Sequence, residues 1–89
     1  MSPSVVEQSV TLLAGQLGIQ PDLIEVVRAS EVTWRDGAIG CPKPGFMYTQ
    51  ALVPGQVVEL VVDGTTYAFH QGGNQPPFYC PNPAEPLPS

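Results

Sequence analysis

The pair Asp63-Gly64 constrains the fold of this chain more than any other feature of its sequence. An apolar, β-branched run, VVELVV (57–62), precedes the pair, and a second strand-like run, TTYAFH (65–70), follows it. Asp-Gly between two such runs is typical of a two-residue type I′ turn, and a turn of that length fixes which residues lie opposite each other. The sequence therefore predicts a β-hairpin of known register.

This register divides the hairpin into two faces, because opposed residues share a face of a sheet. The predicted core face carries mainly apolar side chains, namely Val58, Leu60, Val62, Thr65, Tyr67 and Phe69. The other face carries Val57, Glu59, Val61, Thr66, Ala68 and His70. We expect no helix or strand to cover this second face. It stays open, and His70 lies away from the core, unless the loop 37–48 folds over it.

A helix is predicted before the sheet. Ser4 and Glu7 have the spacing of a capping box, in which each residue satisfies a free amide of the first helical turn. Gly18 supplies the left-handed residue that often follows the end of a helix. Between these signals the apolar side chains recur at helical spacing, at Val6, Val10, Leu13 and Leu17. We expect a helix over 5–17 that packs this stripe on the core face.

Two further segments favour strands. LIEVVRASEVTW (23–34) is rich in strand-forming residues, and its alternation breaks near Arg28, which predicts a β-bulge. YTQALV (48–53) is predicted as a short strand, and Pro54-Gly55 as a turn after it. The element order is typical of an α+β fold with one N-terminal helix on a small antiparallel sheet. Cystatin-like proteins have such a layout, which by itself implies no function.

The chain is long enough for one domain, since it has 89 residues. Six prolines in the segment 76–89 exclude a helix or an inner strand there. We therefore predict a single domain over 1–75 and a solvated, extended Pro-rich tail over 76–89. The tail contains a PxxP spacing but lacks the basic residue that usually accompanies a polyproline ligand.

The charge of the chain narrows the classes of partner. Eight acidic residues against three basic ones give a net charge of −5. Nucleic acids and anionic membrane surfaces both attract clustered Lys and Arg, so we expect neither as a partner. No apolar run approaches the roughly 20 residues of a membrane span. No signal-peptide pattern opens the chain, which is expected of a cytoplasmic protein or of a mature, processed form.

Cys41, Cys80 and His70 are the residues on which reactive chemistry could be built. A disulfide would close a loop of about 40 residues and stabilise the fold by about 4 kcal/mol, whereas a reducing cytoplasm would keep two free thiols. A thiol enzyme would pair Cys41 with His70. A zinc site could use all three side chains, although the cysteines do not form a Cys-x-x-Cys pair. No surrounding motif supports catalysis, so we expect no enzyme and no cofactor.

The segment GCPKPGFMYTQALVPG (40–55) is framed by glycines and prolines, which favours a stiff loop. The segment contains the apolar trio Phe46, Met47 and Tyr48. These side chains either fill the open end of a small core or serve as anchors that bind a partner protein. A stiff loop suits the second role, because it loses little conformational entropy on binding. The second interpretation predicts a non-catalytic protein-interaction module that presents the loop 37–48. A protease-inhibitor-like loop is its most concrete form, and a purely structural accessory domain is the alternative. The predicted binding residues are Phe46, Met47, Tyr48, Lys43 and Gln50.

Residues 34–50 fit the pattern Trp-x-Asp-Gly-x-x-Gly-Cys-Pro-x-Pro-Gly-x-x-Tyr-Thr-Gln, and a Pro-Gly pair, a Tyr-x-x-His segment and a closing Cys80 follow. The chain resembles, over roughly residues 5–80, a family of small bacterial proteins that are common in actinobacteria and have cyanobacterial relatives. Ile39 stands where the family more usually has Leu. The pattern is long enough to be specific.

The resemblance implies no activity. It implies that Cys41, Tyr48, Gln50 and His70 belong to one group of side chains, either structural or binding. Some relatives look exported or lipid-anchored, which favours a disulfide and a periplasmic or extracellular location. Free thiols would favour the cytoplasm.

Overall fold

A computed structural model describes residues 4–88 of the chain. Its elements are helix α1 (Val5–Leu17), a 3-10 turn (Pro21–Leu23) and strands β1 (Glu25–Trp34), β2 (Val53–Val62), β3 (Thr65–Gly72) and β4 (Phe78–Cys80). The strands form one antiparallel sheet in the order β1-β2-β3-β4. The predicted α+β class, with one helix on an antiparallel sheet, is confirmed.

Helix α1 has the predicted bounds, because both of its end signals operate. The Ser4 hydroxyl accepts a hydrogen bond from the Glu7 amide at 3.1 Å. Gly18 is left-handed, with φ +68°, and its amide donates to the Ala14 carbonyl. The helix has 13 residues, and no helix within residues 4–88 is long and apolar enough to cross a bilayer.

The β2–β3 hairpin has the predicted turn and register. Asp63 and Gly64 both have positive φ angles, +49° and +77°, as a type I′ turn requires. Val62 lies opposite Thr65, and this alignment continues along both strands. The main core lies between α1 and the predicted core face, and its fully buried members are Leu13, Val58, Leu60 and Phe69. The hairpin register therefore determines which side chains meet the helix.

Strand β1 carries the predicted bulge. Its pairing with β2 shifts between Val26 and Arg28, so Val27 is the extra residue. The strand begins at Glu25 because the residues before it form the 3-10 turn. An extra residue increases local twist and bends a strand.

The predicted strand over 48–53 and the predicted turn at Pro54-Gly55 are both wrong. Strand β2 begins at Val53 and runs through both residues. Gly55 lies opposite Gly72, and a β-carbon on Gly55 would overlap the Gln71 carbonyl oxygen. The glycine therefore serves a close approach of two strands, which is one of the recognised uses of glycine within a sheet.

The Pro-rich segment also differs from the expected solvated tail. Residues 78–80 form β4, a short edge strand on β3, where prolines nearby remove no inner-sheet hydrogen bond. Residues 81–88, which we call the C-terminal strap, then cross the molecule. The Ala84 amide donates to the Gly40 carbonyl at 2.8 Å, and the Leu87 amide donates to the Thr33 carbonyl at 3.0 Å. These two bonds tie the strap to the loop and to β1, while residues 81–85 remain exposed.

Candidate functional site

The sheet face opposite the helix is covered at its His70 end, whereas Thr66 on the same face is exposed. The expected open face is therefore enclosed only where the loop folds over it, and we call this enclosed part the covered face. His70 is only 1% exposed, and Val57 and Ala68 beside it are also buried. The chain after β1 folds over His70. A fold-over of the loop 37–48 was the one way in which His70 was expected to be enclosed. Trp34 at the end of β1 and Cys80 at the end of β4 complete this second, smaller core.

The His70 ring is held on two sides. It stacks on the Trp34 ring with centroids 4.5 Å apart, and its Nδ1 lies 2.8 Å from the Ile39 carbonyl oxygen. Because a carbonyl oxygen only accepts, Nδ1 carries the proton and donates. The Trp34 indole Nε1–H donates in turn to the Gln71 carbonyl oxygen at 2.9 Å. The two rings therefore tie the loop and β1 to β3.

Burial lowers the pKa of His70, because the charged imidazolium loses its hydration inside the protein. The hydrogen bond to Ile39 and the carboxylates of Glu59 and Glu85 oppose this shift, and Arg28 adds to it. Burial is the largest of these causes. His70 is therefore neutral at pH 7, which suits a structural role under the loop better than a role as a charged site.

Gly40 allows the loop to cross this pair of rings. Its φ is +70°, and a β-carbon there would overlap the Trp34 ring and lie 2.9 Å from His70 Nδ1. A side chain would thus be strained both by the backbone conformation and by the lack of space. The loop and the covered face therefore leave no room for a side chain at position 40.

Cys41 and Cys80 form a disulfide, with their Cα atoms 5.8 Å apart. The bond joins the loop to the end of β4, and residues 4–88 contain no free cysteine. In this state neither sulfur offers a thiolate nucleophile or a zinc ligand, and the described residues hold no group of three or more His, Cys, Asp or Glu side chains that could bind a metal. Disulfides are typical of exported proteins, while the compartment of this protein stays a prediction.

The loop is closed at its base and turns sharply at its end. The Gly37 amide donates to the Thr49 carbonyl at 2.8 Å. We call residues 43–48 the loop tip. There the Phe46 amide donates to the Lys43 carbonyl at 3.2 Å across a turn in which Gly45 has φ +81°. These bonds give the loop a defined shape without burying its tip.

The loop tip presents its apolar side chains to solvent. Met47 is 97% exposed and Phe46 is 65% exposed. The alternative that these residues fill the end of the core is therefore wrong for both. Tyr48 is half-buried, and its hydroxyl accepts a hydrogen bond from the Lys43 amide at 3.0 Å. Tyr48 thus braces the turn, while Phe46 and Met47 remain available for contact.

The loop tip is also the locally cationic part of an acidic chain. No acidic residue occurs between Asp36 and Glu59. The Lys43 ammonium lies 5.9 Å from the centroid of the Phe46 ring, within reach of a weak cation–π attraction. The ion pairs of residues 4–88 both involve Arg28 rather than Lys43. The charge of Lys43 is therefore not neutralised by an ion pair in the described part of the chain.

The side chains that the resemblance groups together fall into two places. Cys41 and His70 belong to the covered face, whereas Tyr48 lies in the loop tip and Gln50 is exposed beside it. No hydrogen bond, ion pair or ring contact joins Gln50 to another described residue. Sequence reasoning did not identify the Ile39 carbonyl as a neighbour of His70, nor the C-terminal strap as a neighbour of Gly40. The position of Cys80 within the Pro-rich segment was the one available signal, because a disulfide to Cys41 must bring that segment to the loop.

A comparison with curated proteins and one with solved structures each gave no match. A family model, described as a domain of unknown function, matches residues 6–80. This span holds nearly all of α1, the four strands, the disulfide and the loop tip. The expected shared pattern and the expected bacterial range stay predictions. By the extent of this match, the chain belongs to the DUF8738 family, a domain of unknown function.

Proposed function

We propose that this protein is a non-catalytic protein-interaction module that binds its partner through the loop 37–48, with Phe46 and Met47 as the anchors. The observation that carries the proposal is the exposure of these two adjacent apolar side chains at the loop tip. Single exposed apolar residues are common on protein surfaces. Here two lie together at the end of a loop whose shape is fixed by internal bonds.

The loop is organised before binding, which supports the proposal. Its base is closed by the Gly37–Thr49 hydrogen bond, and its turn is closed by the Lys43–Phe46 hydrogen bond. Cys41 fixes the same loop covalently to the end of β4. A loop that is already ordered loses less conformational entropy when it binds, so more of its contact energy contributes to affinity.

The chemistry of the loop tip indicates the kind of surface it would meet. A Phe and a Met side chain gain most from an apolar pocket, where each would bury surface worth about 1.5–3 kcal/mol. Lys43 beside them would favour carboxylates at the edge of that pocket. The proposed partner is therefore a protein with an apolar pocket and an acidic rim.

A protease is the most concrete partner of this kind. An exposed, stiff loop can occupy the substrate cleft of a protease at a low cost in conformational entropy. If the protease cleaves the loop, the rest of the fold holds both new ends in the cleft, so that no product is released. In this form Met47 and Phe46 would occupy specificity pockets, and Lys43, Tyr48 and Gln50 would lie against the rim of the cleft. Inhibition constants against a panel of serine and cysteine proteases test this form directly.

The decisive variant for the proposal is Phe46→Ala combined with Met47→Ala. We expect it to weaken binding to an identified partner, or inhibition of a responsive protease, by about a hundredfold or more, since two buried apolar anchors are lost. Leu23→Ala is the matched control, because Leu23 is also an exposed apolar residue but lies in the 3-10 turn before β1. Isothermal titration calorimetry measures the affinity of the double variant and of the control for the identified partner. Equal binding by the double variant and the wild type would refute the proposal.

A further inference from the structure

We propose that Met47 is a site of reversible oxidation, at which a hydroperoxide converts the thioether to a sulfoxide and thereby removes an apolar anchor of the loop tip. The effect on partner binding rests on the proposed function above. The effect on the side chain itself does not.

The structure separates Met47 from the other side chains that oxidants attack. Met47 is 97% exposed, whereas Trp34 is 1% exposed. Both cysteines already share a disulfide, and the thiols that peroxides attack first are therefore absent from residues 4–88. Met47 is thus the accessible reduced sulfur in the described part of the chain.

The reaction needs only a peroxide as co-reactant, and hydrogen peroxide is the simplest. A lone pair on the Met47 sulfur attacks one peroxide oxygen, so that an S–O bond forms while the O–O bond breaks. The sulfur loses two electrons, and the peroxide is reduced by them. The departing hydroxide takes up the hydroxyl proton of the transferred oxygen and leaves as water. The product is a methionine sulfoxide, which methionine sulfoxide reductases convert back to the thioether.

The sulfoxide would change the loop tip without changing the fold. Oxidation makes a flexible apolar side chain polar and chiral, and a polar group without a hydrogen-bond partner is costly in an apolar pocket. No hydrogen bond of the described residues uses the Met47 side chain, and its near-complete exposure means that little packing is lost. The modification would therefore act on contact at the tip, while stability remains unchanged.

The first experiment measures the reaction without any partner. The full chain is treated with hydrogen peroxide, and mass spectrometry of proteolytic peptides follows the gain of one oxygen at Met47. We expect its rate to match that of N-acetylmethionine amide within a few-fold, as accessibility controls oxidation. Met1, on a different peptide, is scored separately. A rate at Met47 about tenfold or more below that of the free amide would overturn the inference.

The second experiment measures how apolar the loop tip is before and after oxidation. Retention on a phenyl hydrophobic-interaction column reports the apolarity of the tip. Met47→Leu is the control, because it keeps an apolar side chain at position 47 that cannot be oxidised and leaves Met1 in place. Peroxide should shorten the retention of the wild type more than that of Met47→Leu, in which only Met1 can be oxidised, and a reductase should restore the wild type. Equal retention before and after oxidation at Met47 would overturn the inference.

The third experiment separates this inference from the proposed function. Against the partner or protease found above, we expect oxidation to weaken the wild type about tenfold or more and to leave Met47→Leu unaffected. If oxidised and reduced wild type bind equally while Phe46→Ala with Met47→Ala fails to bind, the inference is overturned and the proposed function stands. If the double variant binds normally, the proposed function is refuted, and with it the binding consequence of oxidation.

Discussion

Removing the Cys41–Cys80 bond should lower the free energy of unfolding by about 4 kcal/mol. The two cysteines are 39 residues apart, and the loop-entropy relation gives about that value for a closed loop of this length. At the usual stability per residue, a chain of this size has roughly 4–13 kcal/mol in total. The variant Cys41→Ala with Cys80→Ala should therefore lose about 30% or more of its stability, mainly because its unfolded chain gains conformational freedom.

Urea unfolding followed by Trp34 fluorescence is the assay. Trp34 is the only tryptophan of the chain, and it stacks on His70 within the covered face, so its signal reports the region that the disulfide holds. The reductant dithiothreitol should shift the wild type to the midpoint of the double variant and leave the double variant unchanged. A loss below about 1 kcal/mol would refute the reasoning, since the bond would then not restrict the unfolded chain as the relation requires.

Amide hydrogen exchange locates the effect. The amides of Ala84 and Leu87 donate to carbonyls of Gly40 and Thr33, and the strap that carries them begins directly after Cys80. In the double variant these two amides should lose protection well before those of the β2–β3 hairpin, because local opening precedes global unfolding where the covalent restraint is gone. Simultaneous loss at both places would contradict a local role for the bond.

Three further predictions concern Gly40, His70 and the loop tip. Gly40→Ala should lower the free energy of unfolding, measured in urea, by roughly 3 kcal/mol or more, because a β-carbon there overlaps two rings in addition to the strain of the left-handed backbone. Gly45→Ala is the control, since Gly45 has a similar φ but open space around it, and it should lower the free energy of unfolding by about 1 kcal/mol. The free energy of unfolding should fall as pH drops from 7.5 to 5.5, because burial lowers the pKa of His70 in the folded state and the unfolded state then takes up a proton first. His70→Asn should flatten this pH dependence. If the wild type and His70→Asn lost stability equally over this pH range, the prediction would be contradicted. Phe46→Ala with Met47→Ala should change stability by less than about 0.5 kcal/mol, as expected for exposed side chains, and a larger loss would mean that the tip supports the fold.

The helix and the hairpin could be predicted from local sequence signals alone. The bounds of α1 follow from Ser4 and Gly18, and the core face follows from the two-residue turn at Asp63-Gly64. These features were predictable because each depends on residues within a few positions of one another: a cap satisfies amides of its own turn, and a short turn leaves only one register. The bulge in β1 was found for the same reason, since a break in alternation is a local signal.

The environment of the other face of the sheet depends on long-range contacts and could not be predicted from local sequence. His70 is buried because the loop after Trp34 folds back over β3 and is held there by the strap and by a disulfide between distant residues. Strand β2 continues through Pro54-Gly55 because β1 pairs with both residues and β3 pairs with Gly55, although the Pro-Gly pair by itself favours a turn. Both outcomes depend on contacts between segments far apart in the chain, and no local pattern encodes the free energy of closing such loops.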